Sequence, residues 1–154
     1  MSQICIDASL ALKLVLPEPE SDQVQAQWQR WLEEKTELVA PTLFIFEGLS
    51  AIRLNVTRKL ITAQAAELAF REFLAQTQEV RLLLLPDLHE RAWELAKRFK
   101  QSQVYDAYYL ALAESLGCEF WTADEHLYKA VHRALPWVQY IKYIRATGRH
   151  DESE

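Results

Sequence analysis

The sequence predicts an α/β domain with a mainly parallel central sheet of about five short strands flanked by helices. Short apolar segments alternate along the chain with longer segments whose apolar residues recur at helical spacing, which is the pattern of such sheets. The 154 residues, half of them hydrophobic and a quarter charged, suffice to bury one proper core. We therefore predict a single domain over residues 1–147 and a polar, disordered tail over residues 148–154.

The first part of the chain is predicted to contain two strands and three helices. Residues 2–6 and 38–40 form short apolar runs, and helical spacing covers residues 8–14, 22–34 and 41–55. Pro41 suits the first turn of the third helix, because its fixed backbone angle and missing N–H are tolerated there. One stripe of this helix should carry Leu43, Glu47, Ser50, Ala51 and Leu54.

The remainder of the chain continues the alternation of helices and strands. Predicted helices cover residues 62–75, 88–99, 105–116 and 124–132, and predicted strands cover residues 80–85, 120–122 and 138–141. The run 80–85 is almost wholly apolar, as parallel strands buried on both faces are, whereas 138–141 suits a sheet edge. Asp87 and Glu90 form a capping-box pattern, and Gly117 is a predicted helix C-cap. The predicted helix over residues 62–75 has five apolar residues available for packing, Ala66, Leu68, Ala69, Phe73 and Leu74.

Charge and cysteine content restrict the class of protein. The net charge of −5 argues against a protein that coats nucleic acid by bulk positive charge, although it does not exclude a nuclease. The two cysteines cannot form a disulfide framework and suit a reducing compartment. The N-terminus lacks a basic region, and no apolar run approaches the length of a membrane span. The expectation is a cytoplasmic protein with no membrane partner.

Four acids stand out because of where the predicted elements place them. The helix over residues 105–116 is apolar on nearly every face, yet Asp106 lies in its first turn, and aspartate is rarely buried unless paired or metal-bound. Asp7 and Asp124 directly follow strands, and Glu47 lies on an apolar stripe. Since ligands bind beyond the carboxyl ends of parallel strands, these four carboxylates should converge in one crevice.

Two interpretations of these acids are open. Asp7 and Asp124 could be helix N-caps, Asp106 could complement a helix dipole, and Glu47 could extend from the stripe into water. Alternatively, all four hold a hard divalent cation, which removes their mutual repulsion and suits phosphodiester hydrolysis. The second interpretation needs one explanation where the first needs four.

The segments ICIDASLALKLVL, APTLFIFEGLSAI, VYDAYYLALAESLG and FWTADEHL resemble the four acidic motifs of PIN-domain ribonucleases, and most closely those of VapC toxins from toxin-antitoxin pairs. The resemblance implies a three-layer PIN-like fold and an endoribonuclease that uses one or two Mg²⁺ or Mn²⁺ ions and leaves a 5′-phosphate. Its catalytic and metal-binding quartet would be Asp7, Glu47, Asp106 and Asp124. Hydroxyl positions of the family fall on Ser9 and Thr122, whose side chains would orient carboxylates or water, and Ser50 stands where many members have Asn.

The resemblance also implies an RNA substrate, a cognate antitoxin protein and a homodimer. Side chains that could bind RNA phosphates are Lys13, Arg53, Arg58, Lys59 and Arg98, although each could equally belong to a solvated helix face. None of the four histidines shows metal-ligand spacing, and no role is assigned to them. Tyr105 and Tyr109 are interpreted as packing or subunit-interface residues.

The alternative function is a non-catalytic PIN-like module that binds RNA or a protein. A haloacid-dehalogenase-type phosphatase is disfavoured because Ser9 occupies the place of its second Asp. A receiver-type site is disfavoured because neither its acidic pair near the first strand nor its partnered Lys after a late strand is clear. The three glycines form no Walker or dinucleotide-binding motif.

Overall fold

The structure, a computed structural model, describes residues 2–143. Its centre is a sheet of five parallel strands in the order β3-β2-β1-β4-β5. The strands are β1 (Gln3–Ile6), β2 (Glu37–Pro41), β3 (Val80–Leu83), β4 (Glu119–Thr122) and β5 (Val138–Tyr140). The predicted α/β class with five short parallel strands is confirmed. The predicted tail, residues 148–154, lies outside the described residues.

Within residues 2–143, seven helices connect these strands and form layers on the sheet. They are α1 (Ala8–Leu12), α2 (Ser21–Glu33), α3 (Leu43–Thr57), α4 (Ala63–Gln76), α5 (Leu88–Arg98), α6 (Tyr105–Leu116) and α7 (Glu125–Val131), with 3₁₀ turns at Thr77–Glu79 and Ile141–Tyr143. Within the described range, none of these helices combines the length and apolar character needed to span a membrane.

Helix α6 is the interior helix that its composition predicted. Ala107, Tyr109 and the residues from 110 to 113 are buried, and the helix ends at Gly117, whose φ of 66° is the left-handed conformation of a glycine C-cap. Asp106 lies in the first turn of this helix, beside the carboxyl ends of β1 and β4. A rigid, buried helix therefore carries one of the four acids.

The prediction for β3 was wrong about its burial. β3 lies at one edge of the sheet, and Leu82 and Leu84 are 38% and 57% exposed. An apolar run does not distinguish a strand with two neighbours from one with a single neighbour, so its place in the sheet had to come from the tertiary structure. At the other edge lies β5, as predicted.

Three local predictions on the helices were also wrong. Pro41 ends β2, where it is paired with Leu83, so that α3 begins two residues later than expected. Within the described chain the Asp87 side chain makes no capping hydrogen bond, so the predicted capping box is not formed. On α4, the side chains of Leu68 and Leu74 are exposed, while Ala66, Ala69 and Phe73 are buried.

The buried face of α3 is rotated from the predicted stripe. Phe44, Gly48 and Ile52 face the interior, whereas Ser50 and Leu54 are exposed. Phe44 and Phe73 stack with ring centroids 5.7 Å apart, and the Phe73 ring lies directly over Gly48. This close approach of α3 and α4 sets the position of the helix that carries Glu47.

Replacing Gly48 with Ala should destabilise the protein. A Cβ at this position would lie 2.1 Å from the tip of the Phe73 ring, so the ring or a helix must move. Overpacking of this kind lowers the free energy of unfolding by about 1–3 kcal/mol. Helix propensity acts in the opposite direction, since Ala at an interior helix position is favoured over Gly by about 1 kcal/mol. Urea denaturation gives the free energy of unfolding, and Ser50→Ala, on the exposed side of the same helix, is the control. A Gly48→Ala variant as stable as the wild type would contradict this packing.

Candidate active site

A cavity of about 210 Å³ opens beyond the carboxyl ends of β1 and β4. It collects acids from four separate segments of the chain, and within the described chain no Lys, Arg or His side chain lines it. The lining residues are Asp7, Ala8, Ser9, Leu12, Glu47, Ala51, Asp106, Tyr109 and Asp124. Four carboxylates, which are spread along the sequence from Asp7 to Asp124, therefore share one cavity.

Asp7 is the most buried of these acids, with only 5% of its surface exposed. Its Oδ1 accepts hydrogen bonds from the Leu10 backbone N–H at 3.0 Å and from the Ser9 hydroxyl at 2.7 Å. Its Oδ2 accepts one from the Thr122 hydroxyl at 2.5 Å. Burial raises the pKa of Asp7 to about 7, because these hydrogen bonds to the charged form only partly offset the loss of hydration, and Asp106 adds repulsion.

Ser9 and Thr122 connect the two strand ends through their hydroxyl groups. The Ala123 backbone N–H donates to Ser9 Oγ at 3.1 Å, and the Asp124 backbone N–H donates to Thr122 Oγ1 at 2.9 Å. Each hydroxyl thus accepts from the segment after β4 and donates to Asp7. The two hydroxyl positions that the resemblance implied contact Asp7 directly, whereas Ser50 is exposed and does not line the cavity.

Asp124 and Asp106 complete the side of the cavity next to β4. Asp124 is the N-cap of α7, where its Oδ1 accepts from the Leu127 backbone N–H at 3.1 Å. Asp106 is half-buried, and burial raises its pKa, as does the charge of Asp124, while His126 opposes the shift. The N-cap interpretation of Asp7 and Asp124 is thus correct, but it does not exclude a site, since both capping side chains also line the cavity.

Glu47 faces the same cavity from the second turn of α3. The Tyr109 hydroxyl donates to its Oε1 at 2.6 Å. Burial raises the pKa of Glu47, the hydrogen bond from Tyr109 lowers it, and the charge of Asp106 raises it further. Burial and the neighbouring Glu47 also raise the pKa of the Tyr109 hydroxyl, which therefore keeps its proton and acts as the donor.

Sequence reasoning missed two residues of this site. Tyr109 was interpreted as packing or interface, yet it lies three residues after Asp106, which places both side chains on one side of a helix. That spacing was the signal that could have identified it. His126 acts on Asp106 through its charge, and its only sequence signal is that it follows Asp124 by two residues.

The donor set of the cavity fits a hard divalent cation. All four charged groups are carboxylates, and the charges of Asp106 and Asp124 raise the pKa of neighbouring acids. Among residues 2–143, however, no three Asp, Glu, His or Cys side chains already surround one point as metal ligands. This arrangement suits Mg²⁺ or Mn²⁺ held by one or two carboxylates with several retained waters, rather than a closed protein cage.

The basic residues named from the sequence lie outside the cavity lining. Lys13 is buried, where its Nζ donates to the Pro19 carbonyl at 2.9 Å and pairs with Glu18 and Glu20 at 3.7 and 3.4 Å. It holds the loop between α1 and α2 and is not placed to meet RNA. The other four basic residues named from the sequence are exposed: Arg53, Arg58, Lys59 and Arg98. The Arg98 guanidinium lies 4.9 Å from the Phe99 ring centroid.

The metal-free protein should lose stability as the pH rises from about 4 to about 7. In this range the folded state binds more protons at Asp7 than the unfolded chain does, because the pKa is about 7 when folded and near its ordinary value of 3.8 when unfolded. The upper limit of this effect is roughly 4 kcal/mol. Asp7→Asn should be more stable than the wild type at pH 8 and show a flatter pH profile.

Chemical denaturation in a chelator between pH 5 and 8 measures this dependence. Asp87→Asn, at an exposed position outside the cavity, is the control and should retain the wild-type profile. A wild-type stability that rises with pH across this range would show that the Asp7 carboxylate is not buried as described.

Comparisons with known proteins agree with this architecture. A family model of the PIN domain matches residues 4–132. The chain is also 35% identical over 124 residues to Ribonuclease VapC12 of Mycobacterium tuberculosis, an alignment that covers 80% of this chain and 88% of that protein.

Two solved structures share the fold. PAE2754 from Pyrobaculum aerophilum matches with a TM-score of 0.61 at 24% identity, over 84% of this chain and 86% of that one. VapC20 of Mycobacterium tuberculosis, a toxin that cleaves the sarcin-ricin loop, matches with a TM-score of 0.57 at 20% identity, over 83% and 95% of the two chains. With the family model spanning most of its length, the chain belongs to the PIN-domain family and is a relative of the VapC ribonucleases.

Proposed function

We propose that this protein is a metal-dependent endoribonuclease that hydrolyses RNA phosphodiester bonds as the toxin of a toxin-antitoxin pair. The observation that carries the proposal is the cavity in which Asp7, Glu47, Asp106 and Asp124 meet and whose lining, among the described residues, contains no Lys, Arg or His. The identity with Ribonuclease VapC12 supports RNA as the substrate. A module that only bound RNA would gain nothing from carboxylates that repel the phosphates.

In this mechanism the four acids would hold one or two Mg²⁺ or Mn²⁺ ions. The chemistry that such ions supply is activation of a water molecule and neutralisation of charge on the attacked phosphate. Ser9 and Thr122 keep the Asp7 carboxylate oriented through the hydrogen bonds at 2.7 and 2.5 Å. The Leu10 backbone N–H fixes the same carboxylate from the start of α1. Asp7 is therefore held in one rotamer before any ligand binds.

RNA phosphates would be bound by exposed cations outside the cavity. Arg53, Arg58 and Lys59 lie along and directly after α3, the helix that carries Glu47, and Arg98 lies at the end of α5. These residues supply local positive charge on a protein whose net charge is negative. Lys13 is not included, since its ammonium group already binds the loop before α2.

The partners that we propose follow from the same similarity. A cognate antitoxin protein would bind the toxin and block the acidic cavity, and the toxin would form a homodimer. Both the RNA substrate and such an antitoxin are found in the cytoplasm, which is the location we propose.

Purified protein, freed of any antitoxin, should cleave RNA in Mg²⁺ or Mn²⁺ and lose this activity in a chelator. Asp106→Asn should lower the cleavage rate at least a hundredfold, because it removes one of the carboxylates that would hold the ion. Asp87→Asn, an acid just before α5 and outside the cavity, should cleave as the wild type does. Mapping the cleaved ends on total cellular RNA would identify the target.

The same variants can be compared for their effect on growth when expressed without the antitoxin. Wild type and Asp87→Asn should arrest growth, and Asp106→Asn should not. If the pure protein cuts no RNA with either metal, and Asp106→Asn arrests growth as strongly as the wild type, the nuclease function is wrong and the non-catalytic alternative stands.

RNA affinity should depend on the cations after α3 and not on Lys13. We expect the double variant Arg58→Gln, Lys59→Gln, made in the inactive Asp106→Asn background, to bind RNA more weakly and with a smaller salt dependence. Because two cations are removed, the slope of the logarithm of the binding constant against the logarithm of salt concentration should fall in magnitude by about 1.4 on single-stranded RNA. Lys13→Gln should leave RNA affinity unchanged. It should lower the unfolding temperature, because it removes the ion pairs between Lys13 and the loop residues Glu18 and Glu20. Fluorescence anisotropy at several salt concentrations measures the RNA affinity and its salt dependence, and thermal denaturation measures the unfolding temperature. Equal RNA affinity of the double variant and its Asp106→Asn parent would exclude this surface.

A further inference from the structure

We propose that Tyr109 is a positioning residue, whose hydroxyl holds the Glu47 carboxylate in the orientation in which it binds the divalent cation. The inference rests on the proposed function, because it concerns how the same cavity holds its metal. It assigns to Tyr109 a role that neither the comparisons nor the acidic motifs contain.

The contact itself joins two helices across the cavity. The Tyr109 hydroxyl, on α6, donates to Glu47 Oε1, on α3, over 2.6 Å, and both side chains line the cavity. Glutamate has three rotatable side-chain bonds, so a carboxylate without a partner samples many positions at an entropic cost when a ligand orders it. A hydrogen bond to one oxygen removes much of that freedom and leaves the other oxygen as a possible ligand.

The packing of the Tyr109 ring holds its hydroxyl donor in a fixed position. Tyr109 is only 1% exposed, and its ring stacks on Phe120 of β4 with centroids 5.8 Å apart and planes at 26°. The ring therefore connects the central sheet to the carboxylate on α3. Its packing and its hydroxyl are separable, because phenylalanine retains the ring and removes only the donor.

The neighbouring residue, Tyr108, provides a matched control. It lies on the same helix, but its hydroxyl contacts His89 Nδ1 at 2.7 Å, and it does not line the cavity. Tyr108→Phe and Tyr109→Phe thus make the same chemical change one residue apart. Only the second removes a contact to a carboxylate of the site.

The test is direct Mn²⁺ binding to the purified protein, without RNA or antitoxin, measured by electron paramagnetic resonance of the free ion. Tyr109→Phe should bind Mn²⁺ at least tenfold more weakly than the wild type, which is the usual effect of removing a group that orients a ligand. Tyr108→Phe should bind within twofold of the wild type. In a Glu47→Ala background, Tyr109→Phe should cause no further loss, because the hydroxyl acts through Glu47.

Thermal unfolding without metal shows whether each variant is folded. If Tyr109→Phe does not fold, Tyr109→Met serves instead, since methionine fills irregular core space, removes the hydroxyl donor and leaves Glu47 unchanged, and it should show the same tenfold loss. Wild-type affinity in Tyr109→Phe, or an equal loss with and without Glu47, would overturn the role of Tyr109 alone. A wild type that binds no Mn²⁺ and cleaves no RNA would instead overturn the proposed function, and the inference with it.

Discussion

The constraint on which the site depends is the burial of the Asp7 carboxylate where β1 and β4 end. Three donors surround it: the Leu10 backbone N–H and the hydroxyls of Ser9 and Thr122. They do not fully replace water, and the pKa of Asp7 is raised to about 7. A carboxylate in this position is held in one geometry before any ligand arrives, and its charge remains incompletely balanced. These two properties, orientation and unbalanced charge, are those that a cation site requires.

The same charge makes the site a source of instability in the absence of a ligand. Glu47 and Asp106 are also partly buried. The charge of Asp106 raises the pKa of Asp7 and of Glu47, and the charge of Asp124 raises the pKa of Asp106. A divalent cation bound only by the folded state would offset this loss of stability. Its contribution to the free energy of unfolding grows with the concentration of the cation. Stability and function are therefore linked through one group of atoms.

The hydrophobic layers serve this group by fixing where its members lie. Helix α6 carries Asp106 and Tyr109 and is buried along most of its length, while the Gly48–Phe73 contact sets α3 and therefore Glu47. Hydroxyl groups then join the elements: Tyr109 reaches from α6 to α3, and Thr122 reaches from β4 to Asp7. Close packing places each backbone, and a small number of hydrogen bonds sets the side chains.

The sequence by itself determined the parallel α/β order, the interior character of α6 and the four acids that meet at one cavity, because these follow from the spacing of apolar residues and the places where strands end. It did not determine that β3 lies at an edge, that Pro41 ends β2, or that Ser50 and Leu54 face outward, since these depend on which neighbours an element has. Lys13 and Tyr109 show the same division at the level of single residues. Only the tertiary structure placed Glu20 beside Lys13 and Glu47 beside Tyr109. Such contacts are set by the packing of helices rather than by local spacing.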